Sequence, residues 1–463
     1  MSDIVDIVNP ATEESIAELA LQGVDECDEA VARSVEAGPG WRAVAPADRA
    51  RLLRRFADRV EENAEELAQL ETRNVGKPIG ESRGEVGMVA EVLYFYAGAV
   101  DKHRGSTVPV AGGVDLTFHE PLGVVAAIVP WNFPIAITSW KVGPALATGN
   151  TVVVKPAETT PLTALRLAEL ALEAGIPDDV LQVVVGRGPT VGTRLVEHPD
   201  VAKVAFTGST AVGREVMARA SATVKRVTLE LGGKSASIVF DDADVELAAA
   251  STPGGVFANA GQDCCARSRV LVQRSVFDSY LSYLEGAVAA WTVGDPTDPA
   301  TDMGPLASEA HRARVSSFLA PGMGEPEGGA VRGRVVGDVP GGPGFWFPPT
   351  VVAPAGAGWR LAREEIFGPV VAVIPFDDEE DAVRLANDTA YGLAGSIWTR
   401  DGARALRVAR EVQSGNLSVN SNSSVRVQTS FGGMKQSGFG RELGLEALAS
   451  YTDVKNVFVA TGR

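Results

Sequence analysis

Few side chains in this 463-residue sequence have real chemical reach. Three cysteines occur, Cys27, Cys264 and Cys265, and the last two are adjacent, where a disulfide between neighbours is strained. The pattern points to reduced thiols. A thiol can be a nucleophile or simply a small buried hydrophobe, the second role suiting Cys27 and Cys265. Cys264 stands in GQDCCA (261–266). Four histidines (His103, His119, His198, His311) form no HExxH or other ligand-spaced cluster, so no metal is expected. GxSxG is absent, which argues against a Ser-His-Asp hydrolase. Three further segments set polar groups at turns: VPWNFP (129–134) with Asn132, VVVKPAETTP (152–161) with Lys155 and Glu158, and LELGGKS (229–235) with Glu230. Gly186, Gly188 and Gly192 in VVVGRGPTVG follow a strand and precede a helix, where a nucleotide-binding turn or any tight turn uses glycine. FTGST (206–210) opens another helix, whose N-terminus and Ser209 could hold a pyrophosphate oxygen.

These groups need a scaffold. Residues 24–73 repeat apolar positions at helical spacing (Leu52, Leu53, Phe56, Val60, Leu67), which predicts two amphipathic helices. From about 121, β-branched runs alternate with Ala/Leu-rich helical stretches: VVAAIV, 136–147, TVVVK, 162–174, VLQVVV, 191–197, VAKVAF and 210–220. Such alternation predicts a parallel sheet wound on both faces, with ligands at the C-terminal ends of its strands. A second set starts near RVTLELGG and runs through SASIVF, RVLVQ and VVAVIPF to about 417–420, giving a second α/β domain that meets the first near Glu230. The Gly/Pro-rich stretch 321–346 reads as loops flanking a short hairpin. Residues 105–120 alternate like a hairpin, and the C-terminal YTDVKNVFVA reads as an edge strand open to another subunit.

The length exceeds what one core organises, so two large domains are expected. The formal charge of -17, from 59 acidic against 42 basic side chains, repels nucleic acid and anionic membranes alike. The N-terminus MSDIVDIVNPATEE lacks a basic region followed by an apolar run. The longest apolar stretch, 124–137, is broken by Pro130, Asn132 and Pro134 and is too short to span a bilayer. A reduced, cytoplasmic setting is expected, with no membrane partner.

Taken in order, these segments, with EEIFGPV (364–370) and FGGMKQSG (431–438), resemble the aldehyde dehydrogenase superfamily over nearly the whole chain, nearest to its aminoaldehyde and betaine-aldehyde branch. The resemblance implies an α/β aldehyde dehydrogenase fold with two doubly wound parallel-sheet domains: an NAD-binding domain (1–104 and 121–230) and a catalytic domain (231–430), with small oligomerisation β segments at 105–120 and 445–463. It implies NAD-dependent oxidation of an aldehyde to a carboxylic acid. The family's G-Q-x-C-x-A pattern puts the nucleophile on Cys264, whose thiohemiacetal yields a hydride more easily than a planar carbonyl. Asn132 and the Cys264 backbone N–H are implied as donors to the oxyanion, Glu230 as the base that activates water, and Lys141 as a further member of the catalytic group. Cofactor contacts are implied along Ile128, Val129, Pro130 and Trp131, at Lys155 and Glu158 on the adenine ribose, and at Gly188 and Gly192. Further contacts are implied at Phe206, Gly208, Ser209 and Val212, at Leu231 and Gly232, and at Glu365 and Phe367 beside the nicotinamide ribose. A carboxylate at Glu158 welcomes a ribose hydroxyl and repels a 2'-phosphate, favouring NAD, while Lys155 keeps NADP admissible. Gly232 and Gly233 are expected to turn the chain tightly.

The implied substrate tunnel comprises Phe133, Ile137, Trp140, Asp263, Cys265, Phe431 and the loop 422–429 with Arg426. Asp263, together with Glu91, favours a cationic aminoaldehyde. Arg426 favours a carboxylate-bearing semialdehyde or a γ-glutamyl derivative, and a solvated loop charge accounts at least as well for either. Arg267 departs from the small residue relatives carry and is expected to reshape the loop behind Cys264. Two alternatives stand beside this reading. A CoA-acylating dehydrogenase is disfavoured by Glu230, and a binding protein without chemistry is disfavoured by the joint presence of Cys264, Glu230, Asn132, Lys155 and Glu365. A homodimer or homotetramer is the expected assembly.

Overall fold

A computed structural model describes residues 3–319, 332–335, 340–423 and 425–462. Strands Val124–Ile128 (VVAAI) and Thr151–Lys155 (TVVVK) are buried at every position, the mark of central parallel strands covered on both faces. They sit in a six-stranded sheet ordered Gly438–Phe439, Arg226–Glu230, Val201–Thr207, Val124–Ile128, Thr151–Lys155, Leu181–Val183. All neighbours pair in parallel except Gly438–Phe439, which runs antiparallel to Arg226–Glu230. RVTLE therefore joins the first sheet instead of opening the second, because its register matches Val201–Thr207 from Lys203↔Arg226 to Thr207↔Glu230.

The second sheet has seven strands ordered Arg332–Val335, Thr350–Ala353, Val370–Phe376, Arg269–Gln273, Ala236–Val239, Ala394–Trp398, Asn416–Val419. Only Arg332–Val335 runs antiparallel to its neighbour. Of the Gly/Pro-rich stretch 321–346, residues 321–331 and 336–339 lie outside the described residues. A three-stranded sheet, Thr452–Ala460 on Gly113–Pro121 on Thr107–Val110, stands apart, and an N-terminal hairpin pairs Ile4–Val8 with Ser15–Ala20.

Residues 24–73 hold three helices rather than two: Val24–Ala43, Pro46–Glu62 and Ala64–Val75. Pro46 at the first helical position starts the second, and Asn63, outside helical geometry, divides it from the third. Helix Pro134–Ala147 is buried over its whole length, as its apolar circumference requires. It packs on Ile79–Ala99 closely enough that a Cβ on Gly143 would stand 2.8 Å from Tyr96 Cδ2. No helix among the described residues is long and apolar enough to cross a membrane.

Candidate active site

The motif residues gather where strands of the first sheet end and strands of the second begin. Asn132, Lys155, Ser209 and Glu230 lie at or just after strand ends in the first sheet. Cys264 and Glu365 each stand five residues ahead of strands Arg269–Gln273 and Val370–Phe376 in the second. Asn132 is buried, and its Nδ2 donates to the Gln262 carbonyl (2.8 Å), two residues before Cys264. Asn259 Nδ2 donates to the Asn132 carbonyl (2.9 Å), and Gln262 Nε2 donates to the Asn259 carbonyl (3.0 Å). Asn259, Ala260 and Gly261 are all left-handed (φ 48°, 54°, 69°). For the two non-glycine residues this costs roughly 1–2 kcal/mol each, and such strain collects at functional sites. Half-buried Glu81 holds the strained turn by accepting the Asn259 N–H (3.1 Å). Burial pushes the Glu81 carboxyl up to about 7.

Cys264 is half-buried, with its Sγ 4.0 Å from that of buried Cys265. The neighbouring sulfur, then burial, then the charges of Asp263 and Glu365 hold its thiol well above the ordinary range. Asp263 Oδ1 accepts the Cys265 N–H (2.8 Å). Arg267 is buried behind this turn, donating to the Cys265 carbonyl (2.6 Å) and to Ser396 Oγ (3.1 Å), so it ties the nucleophile loop to the second sheet.

Glu230 ends its strand with both carboxylate oxygens buried and unpartnered. Burial first, then the charge of Glu442, raises its pKa well above the usual carboxylate range, against Lys141 and Arg441. Lys141 Nζ donates to Thr207 Oγ1 (2.8 Å) and pairs with Glu442. Gly432 leaves no room for a side chain here, since a Cβ would meet Glu230 Oε1 at 2.8 Å. Glu442 and Glu81 escaped the sequence reading. Each acts through a partner far along the chain, and neither carries a local motif.

Glu365 Oε1 accepts the Gly233 N–H (2.8 Å), and burial raises its carboxyl to about 6. Gly232 and Gly233 make no positive-φ turn, contrary to expectation. They are needed for close approach: a Cβ on Gly232 would stand 2.3 Å from Glu365 Oε2, and one on Gly233 would stand 2.3 Å from the Cys264 carbonyl. Phe367 is left-handed (φ 61°), and its carbonyl lies 2.6 Å from His311 Nε2. Trp131 packs edge-on against Phe367 (5.4 Å) and His311 (5.2 Å).

Along the first sheet's strand ends, Lys155 Nζ donates to the Pro156 carbonyl (2.8 Å) and reaches Glu158 Oε2 (3.5 Å). Ser209 Oγ caps helix Thr210–Ala220 itself, accepting the Val212 N–H (3.3 Å). Both residues are exposed. Ile128, Val129, Phe206 and Leu231 are buried, whereas Pro130 and Gly208 are half-buried. The glycine pattern splits: a Cβ on Gly186 would strike Val191 and the Gln22 carbonyl, Gly188 has open space, and Gly192 would meet Lys155 Cδ only at 3.6 Å. An exposed helix N-terminus and a lysine–glutamate pair are of the chemistry that holds the phosphates and ribose of a dinucleotide.

On the substrate side, Trp140 and Phe431 meet edge-on (5.2 Å), Ile137 is buried, and Lys77 Nζ lies 4.4 Å over the Phe133 ring. Arg426 is exposed, with its guanidinium on Ser423 Oγ and the Val425 carbonyl (2.7 Å each), and Glu91 is exposed on helix Ile79–Ala99.

The aldehyde dehydrogenase family model matches residues 1–457, and the chain belongs to that family. A betaine aldehyde dehydrogenase of Cereibacter sphaeroides is 43% identical over 99% of this chain and 94% of its own. The NADP/NAD-dependent aldehyde dehydrogenase PuuC of Escherichia coli is 42% identical over 99% and 93%. The crystal structure of PnpE from Pseudomonas sp. WBC-3 superposes with a TM-score of 0.95 at 43% identity, covering 100% of this chain and 95% of that one, and PnpE has also been crystallised with nicotinamide adenine dinucleotide.

Proposed function

We propose that this chain is an NAD-dependent aldehyde dehydrogenase in which Cys264 is the nucleophile and Glu230 the base that hydrolyses the resulting thioester. The observation that carries it is a half-buried thiol, a buried amide hydrogen-bonded to the chain two residues before it, and a buried, unpartnered carboxylate within electrostatic reach of the adjacent Cys265. Cys264 Sγ releases its proton to solvent water and, as the thiolate, bonds the aldehyde carbon, and the carbonyl oxygen becomes an alkoxide held by Asn132 Nδ2 and the Cys264 N–H. When bound, NAD supplies a hydride acceptor. Once the hydride has left, the carbon is a thioester on Cys264. Glu230 takes a proton from water, the hydroxide adds to the thioester carbon, the C–S bond breaks, and the acid departs. Glu365, Trp131 and Phe367 are suited to the nicotinamide end and Lys155 with Glu158 to the adenine ribose. That pair favours NAD and leaves NADP admissible.

Asn132→Ala is expected to lower kcat about 100- to 1000-fold. Steady-state kinetics read the loss, and a fall of only a few-fold would remove Asn132 from the oxyanion site. Of the two charge clues, the half-buried Asp263 beside the nucleophile outweighs Arg426, whose guanidinium is engaged on its own loop. The substrate class this favours is an aldehyde carrying a positive charge. Asp263→Ala is expected to lower kcat/KM selectively for aminoaldehydes over neutral and acidic ones, and Arg426→Ala to leave that ratio unchanged. Equal effects on all three classes would reject the assignment.

Strand Thr452–Ala460 is exposed along nearly its whole length, with Val454, Val457, Phe458 and Val459 at the surface, which supports pairing with a second copy in a homodimer or tetramer. Three free thiols suit a reducing cytoplasm. The test of function is NADH absorbance over a panel of aldehydes with and without CoA. Carboxylic acid formed at an unchanged rate without CoA supports the hydrolytic reading, strict dependence on CoA overturns it, and no NAD reduction with any aldehyde overturns the enzyme assignment.

A further inference from the structure

A carboxylate oxygen of Asp263 and the sulfurs of Cys264 and Cys265 lie within 4.8 Å of one another. We propose that these three side chains form a binding site for a thiophilic divalent cation, zinc(II) foremost, which takes both thiols as thiolates and keeps a further position open beside Cys264. Ligands on consecutive residues match none of the usual zinc-site spacings. A turn at 264–265 is what makes it feasible, since successive residues of a strand would send the two sulfurs to opposite faces.

Two thiolates on a tetrahedral zinc at about 2.3 Å stand about 3.8 Å apart, and the two sulfurs here are 4.0 Å apart. A disulfide needs the same atoms at about 2.05 Å, across a neighbour pair that strains it. The geometry is therefore much nearer to chelation than to oxidation. Asp263 is fixed by the Cys265 N–H on Oδ1 (2.8 Å), which aims the carboxyl at the pair. The charges facing the site are mixed. Asp263 and Glu365 act on Cys264, and Arg267 and Lys77 act on Asp263 from behind. Binding converts two thiols and one divalent ion into a dithiolate complex and two released protons, with no change of oxidation state. Mixed sulfur and oxygen donors select zinc over magnesium or calcium.

Occupancy ties up the Cys264 sulfur, so the ion should act as a reversible inhibitor. This consequence rests on Cys264 being the nucleophile, whereas binding itself does not. The full chain, stripped with a chelator, is titrated with zinc chloride by calorimetry and with cobalt(II) chloride in the near ultraviolet, as wild type, Cys265→Ser and Asp263→Asn. One ion per chain, proton release and a thiolate-to-cobalt band are expected in the wild type. Cys265→Ser should weaken binding on the order of tenfold or more, because even partners one step removed from a ligand cost that much, and should diminish the band. Asp263→Asn should weaken binding with the band retained. Zinc-loaded wild type should be inactive until chelator is added. Equal zinc affinity in wild type and Cys265→Ser, or no cobalt–thiolate band, overturns the site. Zinc bound at these residues with aldehyde oxidation intact leaves the ion site standing and overturns Cys264 as nucleophile.

Discussion

Cys264→Ala is expected to lower aldehyde oxidation by on the order of 10⁴-fold or more, since removing a covalent nucleophile removes the pathway and leaves only the binding contribution. Cys265 does not substitute for it. That residue is buried in the apolar core, while Cys264 is half-buried at the point where Asn132, Gln262 and Glu365 converge. NAD affinity should be kept, because Trp131, Lys155, Glu158 and Ser209, proposed to hold the cofactor, lie at or just after strand ends of the first sheet and keep their side chains in the variant. A fluorescence titration of NAD alongside the activity measurement separates the two. Substantial activity in Cys264→Ala, or its loss in Cys265→Ala alone, would reverse the assignment.

Glu230→Gln is expected to keep a burst of NADH and to slow steady-state turnover about 100- to 10,000-fold, the usual worth of a positioned base. The substitution preserves shape, and because neither carboxylate oxygen has a partner, no hydrogen bond is broken. The pH profile carries a second signature. Burial and Glu442 raise the Glu230 pKa, so the ionised, base-competent form disappears as pH falls through that raised value. Wild-type turnover, where hydrolysis limits it, should therefore climb with pH across this window and level off above it. In Glu230→Gln that limb should be absent. Rapid-mixing absorbance with the pH varied reads both signatures, and an unchanged steady-state rate removes Glu230 from hydrolysis.

The chemistry of this chain is legible where it is written in short local segments. PWN, GQDCC, LELGG and EEIFGP each fix a residue's turn and neighbours within a few positions, and family resemblance did the rest. What works through distance was hidden. The Lys141–Glu442 pair spans 301 positions, and the Glu81 carboxylate reaches Asn259 across 178. Neither leaves a periodic trace. The brief strand Gly438–Phe439 joins the first sheet although it follows the second in sequence, and Gly438 permits this at φ 113°, where a Cβ would lie 1.9 Å from the Leu229 carbonyl. Gly232 and Gly233 serve close approach and not a tight turn, because a sequence shows that a residue lacks a side chain but not what presses against it. RVTLE, where the second alternating set starts in the sequence although 121–230 is given to the first domain, is ambiguous for a similar cause. Its β-branched alternation suits either sheet, and only pairing with Val201–Thr207 decides.

The most direct measurement is peptide mass spectrometry on Glu230→Gln, mixed with NAD and an oxidisable aldehyde and quenched in acid at the end of the burst. The account predicts the acyl mass, less the displaced hydrogen, on the peptide containing Cys264 and Cys265, localised by fragmentation to Cys264 and lost on treatment with hydroxylamine. A burst of NADH with no acylated peptide, or with the acyl group on Cys265, would contradict it.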